Sequence, residues 1–268
     1  MKLPRHIKTV ILTALFAAIC AAAFTHGAER TVQFPRWVVD DAFILYRYAE
    51  NLAEHGELNW NPDEDPVEGY TGIALVTLIS AAIKLGISPI AASHAIGIVF
   101  YFLGGILILL ILRGFNIGST TALVLYFTTP FMLSHVWSGL ETTMFITAIL
   151  FAVYTYILHR NKLFIFALLL LSFTRPEGVL LSVLLLALYR PASKAAIAAY
   201  LAPCIVYFLW RWIYYGQLLP NTFYAKASFV APVRENIESL RQLFRNYLRL
   251  PALLGLIFFS YDHFRRRK

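Results

Sequence analysis

Charge is scarce in this sequence. Only 14% of its 268 residues are Asp, Glu, Lys or Arg, against 59% hydrophobic ones, and the mean hydropathy is +0.65. A soluble domain carries about 25% charged residues, so too little polar surface exists here for a water-soluble globule. Cysteine is nearly absent as well. Cys20 and Cys204 both fall inside apolar runs, without CxxC or Cys/His spacing, which leaves no cysteine ligand set and makes both inert apolar-segment residues. The chain has no G-x-G-x-x-G, Walker A, H-E-x-x-H or G-x-S-x-G pattern, so soluble nucleotide-dependent chemistry is not signalled. It has no internal repeat, which weakens an inverted-repeat transporter reading. Nor does it show the alternating strands of about ten residues that a membrane barrel needs.

What is present is a series of apolar runs. They cover about 9–24, 72–85, 90–112, 120–136, 143–158, 163–173, 179–189, 195–212 and 250–261. Crossing a hydrocarbon core takes roughly 20 apolar residues per helix, and backbone groups in lipid must pair internally, so helices are expected. The fold class is all-α: a polytopic membrane helix bundle with an acidic first extracytoplasmic loop containing short helices. Run 9–24 follows Lys2, Arg5 and Lys8 and resembles a signal peptide in layout, but it is read as a retained first transmembrane helix. The organisation expected is a single domain over 1–268. Its parts are helix 9–24, loop 25–71, a bundle over 72–215, an outer loop with an amphipathic helix over 216–249, and a last helix with a basic tail over 250–268.

The net charge of +8 sits between the apolar runs, as in cytoplasmic loops of membrane proteins, so nucleic-acid binding is set aside. If 72–85 does not cross, then Arg113, Arg160 with Lys162, Arg190 with Lys194, and the tail Arg265-Arg266-Arg267-Lys268 all become cytoplasmic. Segment 72–85 is then re-entrant or interfacial, and runs 163–173 and 179–189 form a shallow hairpin with an outward tip. That count places the polar motifs at Asp40-Asp41, Glu68, Ser138 to Glu141, Arg175 to Gly178 and Pro220 to Lys226 on the same extracytoplasmic side. Ionisable residues at membrane depth default to function.

Ten of the fifteen carboxylates lie between Glu29 and Glu68. Asp40-Asp41 opens a stretch of helical apolar spacing, so one Asp is either an N-cap or half of a pair supplying a general base and its helper, or a cation site. Glu68-Gly69-Tyr70-Thr71 fits an interfacial turn as well as a sugar-contacting edge. Ser138 or Glu141 can cap the following helix. Arg175 and Glu177 put opposite charges at the hairpin tip, where Pro176 and Gly178 explain only the turn. The cluster Trp210-Arg211-Trp212-Ile213-Tyr214-Tyr215 reads as an interfacial aromatic belt. Past it, Lys226 either snorkels or meets a lipid phosphate, and the apolar and arginine spacing over 234–249 reads as a basic amphipathic helix on the outer membrane face.

The ordered set Asp40-Asp41-Ala42-Phe43-Ile44, Arg47-Tyr48-Ala49, Asn51-Leu52, Trp60-Asn61-Pro62 and Val67-Glu68-Gly69-Tyr70-Thr71 resembles the first extracytoplasmic loop of GT-C glycosyltransferases. Ser138-Gly139-Leu140-Glu141-Thr142, Arg175-Pro176-Glu177-Gly178 and Pro220-Asn221-Thr222-Phe223-Tyr224-Ala225-Lys226 follow in the order seen there. Within that superfamily the pattern is similar to the mycobacterial terminal arabinofuranosyltransferase family and its bacterial relatives. The resemblance implies a multi-pass protein of the inner or plasma membrane whose donor is a polyprenyl-phosphate-linked sugar. It implies an extracytoplasmic site and a glycan, lipid or protein acceptor. By the same resemblance Asp40 is the catalytic base and Asp41 its helper. Arg47, Glu68, Tyr70, Glu141, Arg175, Glu177, Asn221, Tyr224 and Lys226 are the expected substrate contacts. A divalent cation, if one takes part, would sit on Asp40 and Asp41. The competing functions are a lipid-linked sugar flippase or transporter and a non-catalytic subunit binding prenyl-linked sugar.

The charge-based topology has a direct check. Cysteines introduced at positions 160 and 177 are expected to differ in intact cells, with 177 labelled by an impermeant thiol reagent and 160 protected. The reverse pattern refutes the topology.

Overall fold

The computed structural model describes residues 38–217 apart from 116 and 190–192, together with 221 and 241. The expected helices over 9–24 and 250–261 and nearly all of segment 216–249 lie outside the described residues. The described residues are all-helical, with no strand among them. In chain order the helices are α1 (Asp40–Glu54), α2 (Ile73–Lys84), α3 (Pro89–Gly114), α4 (Thr120–Thr128), α5 (Pro130–Trp137), α6 (Thr142–Ile157), α7 (Asn161–Thr174), α8 (Pro176–Leu188) and α9 (Lys194–Tyr215).

Length separates these helices into two groups. α3, with 26 residues, and α9, with 22, are long and apolar enough to cross a membrane, and α5 with α6 make a third if they count as one broken span. At 1.5 Å per residue α3 and α9 extend about 39 and 33 Å, against a core of roughly 30 Å. α2, α7 and α8 hold 12, 14 and 13 residues, so each reaches only about 18–21 Å. That is the length expected of a segment that enters without crossing.

Two compact units divide the chain. One contains Gly105–Val136, and the other contains Val38–Gly104 and Trp137–Val230. In the first, the sequence predicts one continuous run over 120–136, but α4 stops at Thr128 and α5 starts at Pro130. Proline disfavours the helical region for the residue before it, and Thr129 is accordingly extended at φ −64°, ψ 121°. Gly105 lies so close to Phe127 that a Cβ there would overlap the ring.

The second unit holds the candidate site. Its α1 buries Ala42, Leu45, Tyr46 and Ala49, at the i, i+3, i+4, i+7 spacing of one helical face. Asp40 and Asp41 occupy its first turn, where negative charge favours the helix dipole. The N-cap is Val39 without a side-chain capping bond, so the capping role considered for an aspartate is not the one adopted. The helix closes at His55, and Gly56 at φ +76° takes the left-handed position after it.

Helix α7 is the hub of this unit, packing against α6, α8, α9 and α2. Its Phe164, Ala167, Leu168 and Leu171 are completely buried. Ser172 Oγ donates to Ser182 Oγ (3.1 Å) and pairs with Tyr200 Oη (2.9 Å), joining α7, α8 and α9 through hydroxyls. Such interhelical bonds contribute about 0.6 kcal/mol each inside membranes. The α7–α8 approach depends on Gly178, where a Cβ would collide with the Leu171 carbonyl oxygen. Gly178→Ala must therefore push backbone against backbone and is expected to destabilise by about 3 kcal/mol. Gly114→Ala, where a Cβ meets open space, is expected to stay within about 0.5 kcal/mol. Unfolding of both variants in the same detergent measures the contrast.

Candidate functional site

A chain of contacts runs from Asp40-Asp41 to Arg211 through segments far apart in sequence. The Val39 N–H donates to the Ser138 carbonyl oxygen (3.1 Å), which docks the start of α1 on the 138–141 turn. That turn needs glycine at 139, whose φ is +81° and whose missing Cβ leaves room for Tyr46, Val38 and Ala42. Ser138 Oγ accepts the Leu140 N–H at 3.2 Å, so it stabilises the turn and not the helix.

Glu141 stands at the N-cap position of α6 but makes no capping bond with its side chain. Its buried carboxylate instead accepts from Arg175 Nη1 at 2.9 Å. Arg175 also bonds Glu177 through Nε and Nη2, both at 3.3 Å, and lies 5.8 Å from the centroid of the Phe145 ring. The expected alternatives for Arg175 were a phosphate contact or a pair with Glu177. The structure gives it two carboxylates, and the cluster carries a formal charge of −1. Next to it, Gly72 meets the Thr174 carbonyl so closely that a Cβ would overlap it, bringing the Glu68–Thr71 segment against the hairpin tip.

Glu68 is the most constrained acid of the set. It is 5% exposed, and Arg211 Nε lies 2.8 Å from Oε1 and 2.7 Å from Oε2, with Nη2 2.6 Å from Oε2. Burial raises the Glu68 carboxyl above its ordinary range, and the guanidinium acts against that rise. The Glu68 carbonyl oxygen also accepts the Asn221 N–H at 3.2 Å. Around the pair, tyrosines fasten the loop. Tyr48 Oη donates to the Val67 carbonyl (2.5 Å) and accepts the Gly69 N–H (2.8 Å), and burial pushes its phenol up to about 12. Tyr215 Oη donates to the Leu58 carbonyl at 2.6 Å and lies 3.3 Å from Tyr70 Oη. Tyr70 is thus 3% exposed in a tyrosine cluster beneath the loop.

Beside this pair opens a cavity of about 500 Å³. Phe173, Leu180, Ile205 and Phe208 contribute its apolar walls, and Glu68 and Arg211 its charged lining. Leu180, Ile205 and Phe208 belong to a broad apolar face of α8 and α9 that is exposed in the protein alone.

The remaining expected residues are placed differently. Asp40, Asp41 and Arg47 are exposed on α1 and do not line this cavity. Tyr224 and Lys226 lie outside the described residues. Among the described residues, no group of three or more His, Cys, Asp or Glu gathers as a metal site, and Asp40 and Asp41 stand at consecutive positions in the first turn of α1. Arg211 was read as part of an aromatic belt. The signal that singles it out is its place as the lone Asp, Glu, Lys or Arg between Ala195 and Tyr215, inside an apolar helix.

No protein-family model, curated protein or solved structure matches the chain.

The charge pair has a measurable signature. Removing one partner of a buried pair leaves an uncompensated charge and costs about 3–5 kcal/mol, whereas replacing both is far less damaging. Arg211→Met is expected to destabilise by that amount, and Glu68→Gln combined with Arg211→Met to recover most of it. A double-mutant cycle of detergent-phase unfolding measures the coupling.

Proposed function

We propose that this protein is a membrane glycosyltransferase of the GT-C kind, moving a sugar from a polyprenyl-phosphate donor to an extracytoplasmic acceptor. The observation that carries the reading is the cavity whose apolar walls meet a buried Glu68–Arg211 pair. A prenyl-phosphate sugar has the same division, an isoprenoid tail joined to an anionic, hydroxyl-rich head. The order of the polar motifs supports the same class. So do two helices long enough to cross a membrane and an exposed apolar face along α8 and α9 for the tail to approach through.

In this reaction a base removes the proton of an acceptor hydroxyl as its oxygen attacks the anomeric carbon. The bond from that carbon to the phosphate oxygen breaks, and the electron pair leaves with the prenyl phosphate. Asp40 is the base on this reading, because it is exposed in the first turn of α1 while the Glu68 and Glu141 carboxylates are each held by an arginine. Asp41 assists it. The departing phosphate keeps its negative charge, so neighbouring guanidinium and ammonium groups lower the barrier. Glu68 and Arg211 at the cavity, and Lys226 from the resemblance, are the groups assigned to the head of the donor.

The test uses purified protein in lipid nanodiscs and a panel of decaprenyl- and undecaprenyl-phosphate pentoses and hexoses, reading donor binding and release of free prenyl phosphate. Ile205→Trp, which fills the cavity, is expected to weaken donor binding at least tenfold. Asp40→Asn keeps size and is expected to leave binding intact while slowing turnover about 100-fold. Donor binding unaffected by Ile205→Trp refutes the cavity assignment. Normal binding without turnover in the unaltered protein makes it a prenyl-sugar-binding subunit instead.

A further inference from the structure

A second cleft lies on the exposed side of α1, built from residues that the donor site does not use. It encloses about 340 Å³, within the roughly 300–1,000 Å³ range of small-ligand sites. Phe43, Arg47 and Glu50 from α1, Trp60 from the following loop, and Ser88 and Ile90 at the start of α3 line it. Phe43 and Trp60 are 50% and 42% exposed, an unfavourable state for two large rings in a segment that carries most of the acids of the chain.

The cleft is held in shape from behind. Asn51 Nδ2 donates to the carbonyl oxygens of Asn59 (2.8 Å) and Trp60 (2.9 Å), and Asn59 Oδ1 accepts the Trp60 N–H at 2.8 Å. Arg47 Nε donates to the same Trp60 carbonyl at 3.1 Å, fixing the guanidinium at the wall with one of its five N–H donors. Phe43 packs edge-on against Tyr46 at 5.6 Å, and Tyr46 is tied to Ser93 at 2.6 Å. Aromatic faces fixed next to a carboxylate and a guanidinium match one chemistry well. A sugar ring offers an apolar C–H face to an aromatic platform and a rim of hydroxyls to charged donors and acceptors.

Position gives the cleft its role. Asp40, Phe43, Arg47 and Glu50 are spaced by three, four and three residues, which puts them along one face of α1. Phe43 stands about 4.5 Å from Asp40 along the axis, and Glu50 about 15 Å. We infer that this cleft is the acceptor-glycan subsite, in which Phe43 and Trp60 carry sugar rings and Arg47 and Glu50 bond their hydroxyls so that the chain end arrives at Asp40. The inference rests on the glycosyltransferase reading, but its test does not involve the donor.

Binding of linear arabinotriose, mannotriose and galactotriose to the nanodisc-embedded protein, without donor, is measured by saturation-transfer NMR and titration. At least one trisaccharide is expected to bind. Phe43→Ala and Trp60→Ala should each weaken it tenfold or more, while Trp60→Phe keeps most of the affinity. Phe43→Ala removes a half-exposed ring, so an unaltered unfolding profile shows that its loss of binding is local. Absence of binding by all three sugars, or binding indifferent to both alanine variants, overturns the subsite. So does displacement of the sugar by glycerol phosphate, the outcome for an anionic-lipid site. Trisaccharide binding through the cleft in a protein that turns over no donor keeps the subsite and refutes the transferase. Donor turnover with no cleft-dependent sugar binding does the reverse.

Discussion

Glu68 and Arg211 are separated by 143 residues and are joined by a two-pronged ion pair that both side chains make while nearly removed from solvent. Desolvating two charges costs several kcal/mol each, and the guanidinium offsets that cost by reaching both carboxylate oxygens. One turn further along α9, Tyr215 binds the Leu58 carbonyl. Positions 211 and 215 share a helix face, so α9 grips the 55–71 loop at two points of the same stripe. The Tyr48 hydroxyl grips it from α1 at Val67 and Gly69. A loop fastened on three sides keeps Glu68 at the cavity and Trp60 beside α1, which fixes the shape of both clefts.

The short hairpin α7–α8 supplies the other constraint. Helices of 14 and 13 residues are each shorter than the roughly 20 residues that a membrane crossing takes, and their junction holds Arg175 in extended conformation. A partly buried charge is costly unless it is paired, and Glu141 and Glu177 offset that of Arg175. The close contacts at Gly72 and Gly178 then let the loop and α8 press against the end of α7. The cavity of about 500 Å³ lies beside this junction, lined by Phe173 and Pro176 together with Ile205 and Phe208.

Local order was legible in the sequence and long-range pairing was not. Apolar runs 143–158, 163–173, 179–189 and 195–212 correspond to α6 through α9 within a few residues, because helical propensity and hydrophobicity act over neighbours. The break at Pro130 is also a neighbour effect, hidden by the apolar residues on either side of it. Glu141 looked like a helix cap, since a carboxylate at that position usually serves the nearest N–H groups, but an arginine 34 residues away offers a stronger partner. Arg211 was masked by its Trp and Tyr neighbours, whose composition suits an interfacial belt. Its partner lies on the far side of α2 through α8 in sequence, where no local pattern points. Phe43 and Trp60 stood in the sequence only as members of the motifs that carry the resemblance, since exposure of a ring cannot be told from its position in the chain.

Charge accounting decides how an anionic donor would be received under the proposed function. Arg175 with Glu141 and Glu177 carries −1, so a phosphate approaching within about 6 Å meets repulsion of roughly 3 kcal/mol per unit charge at an effective dielectric of 20. Arg211 with Glu68 is neutral, and its guanidinium faces the cavity lining beside apolar walls. An anion is therefore better tolerated at Arg211 than at Arg175. A neutral pair still supplies no net positive charge. The remaining requirement falls on basic residues beyond α9, of which Lys226 stands in the 220–226 motif, while Asp40 is exposed on α1 and outside the cavity lining. Separating the anion-receiving end from the proton-accepting end lets each carry the charge its own step requires.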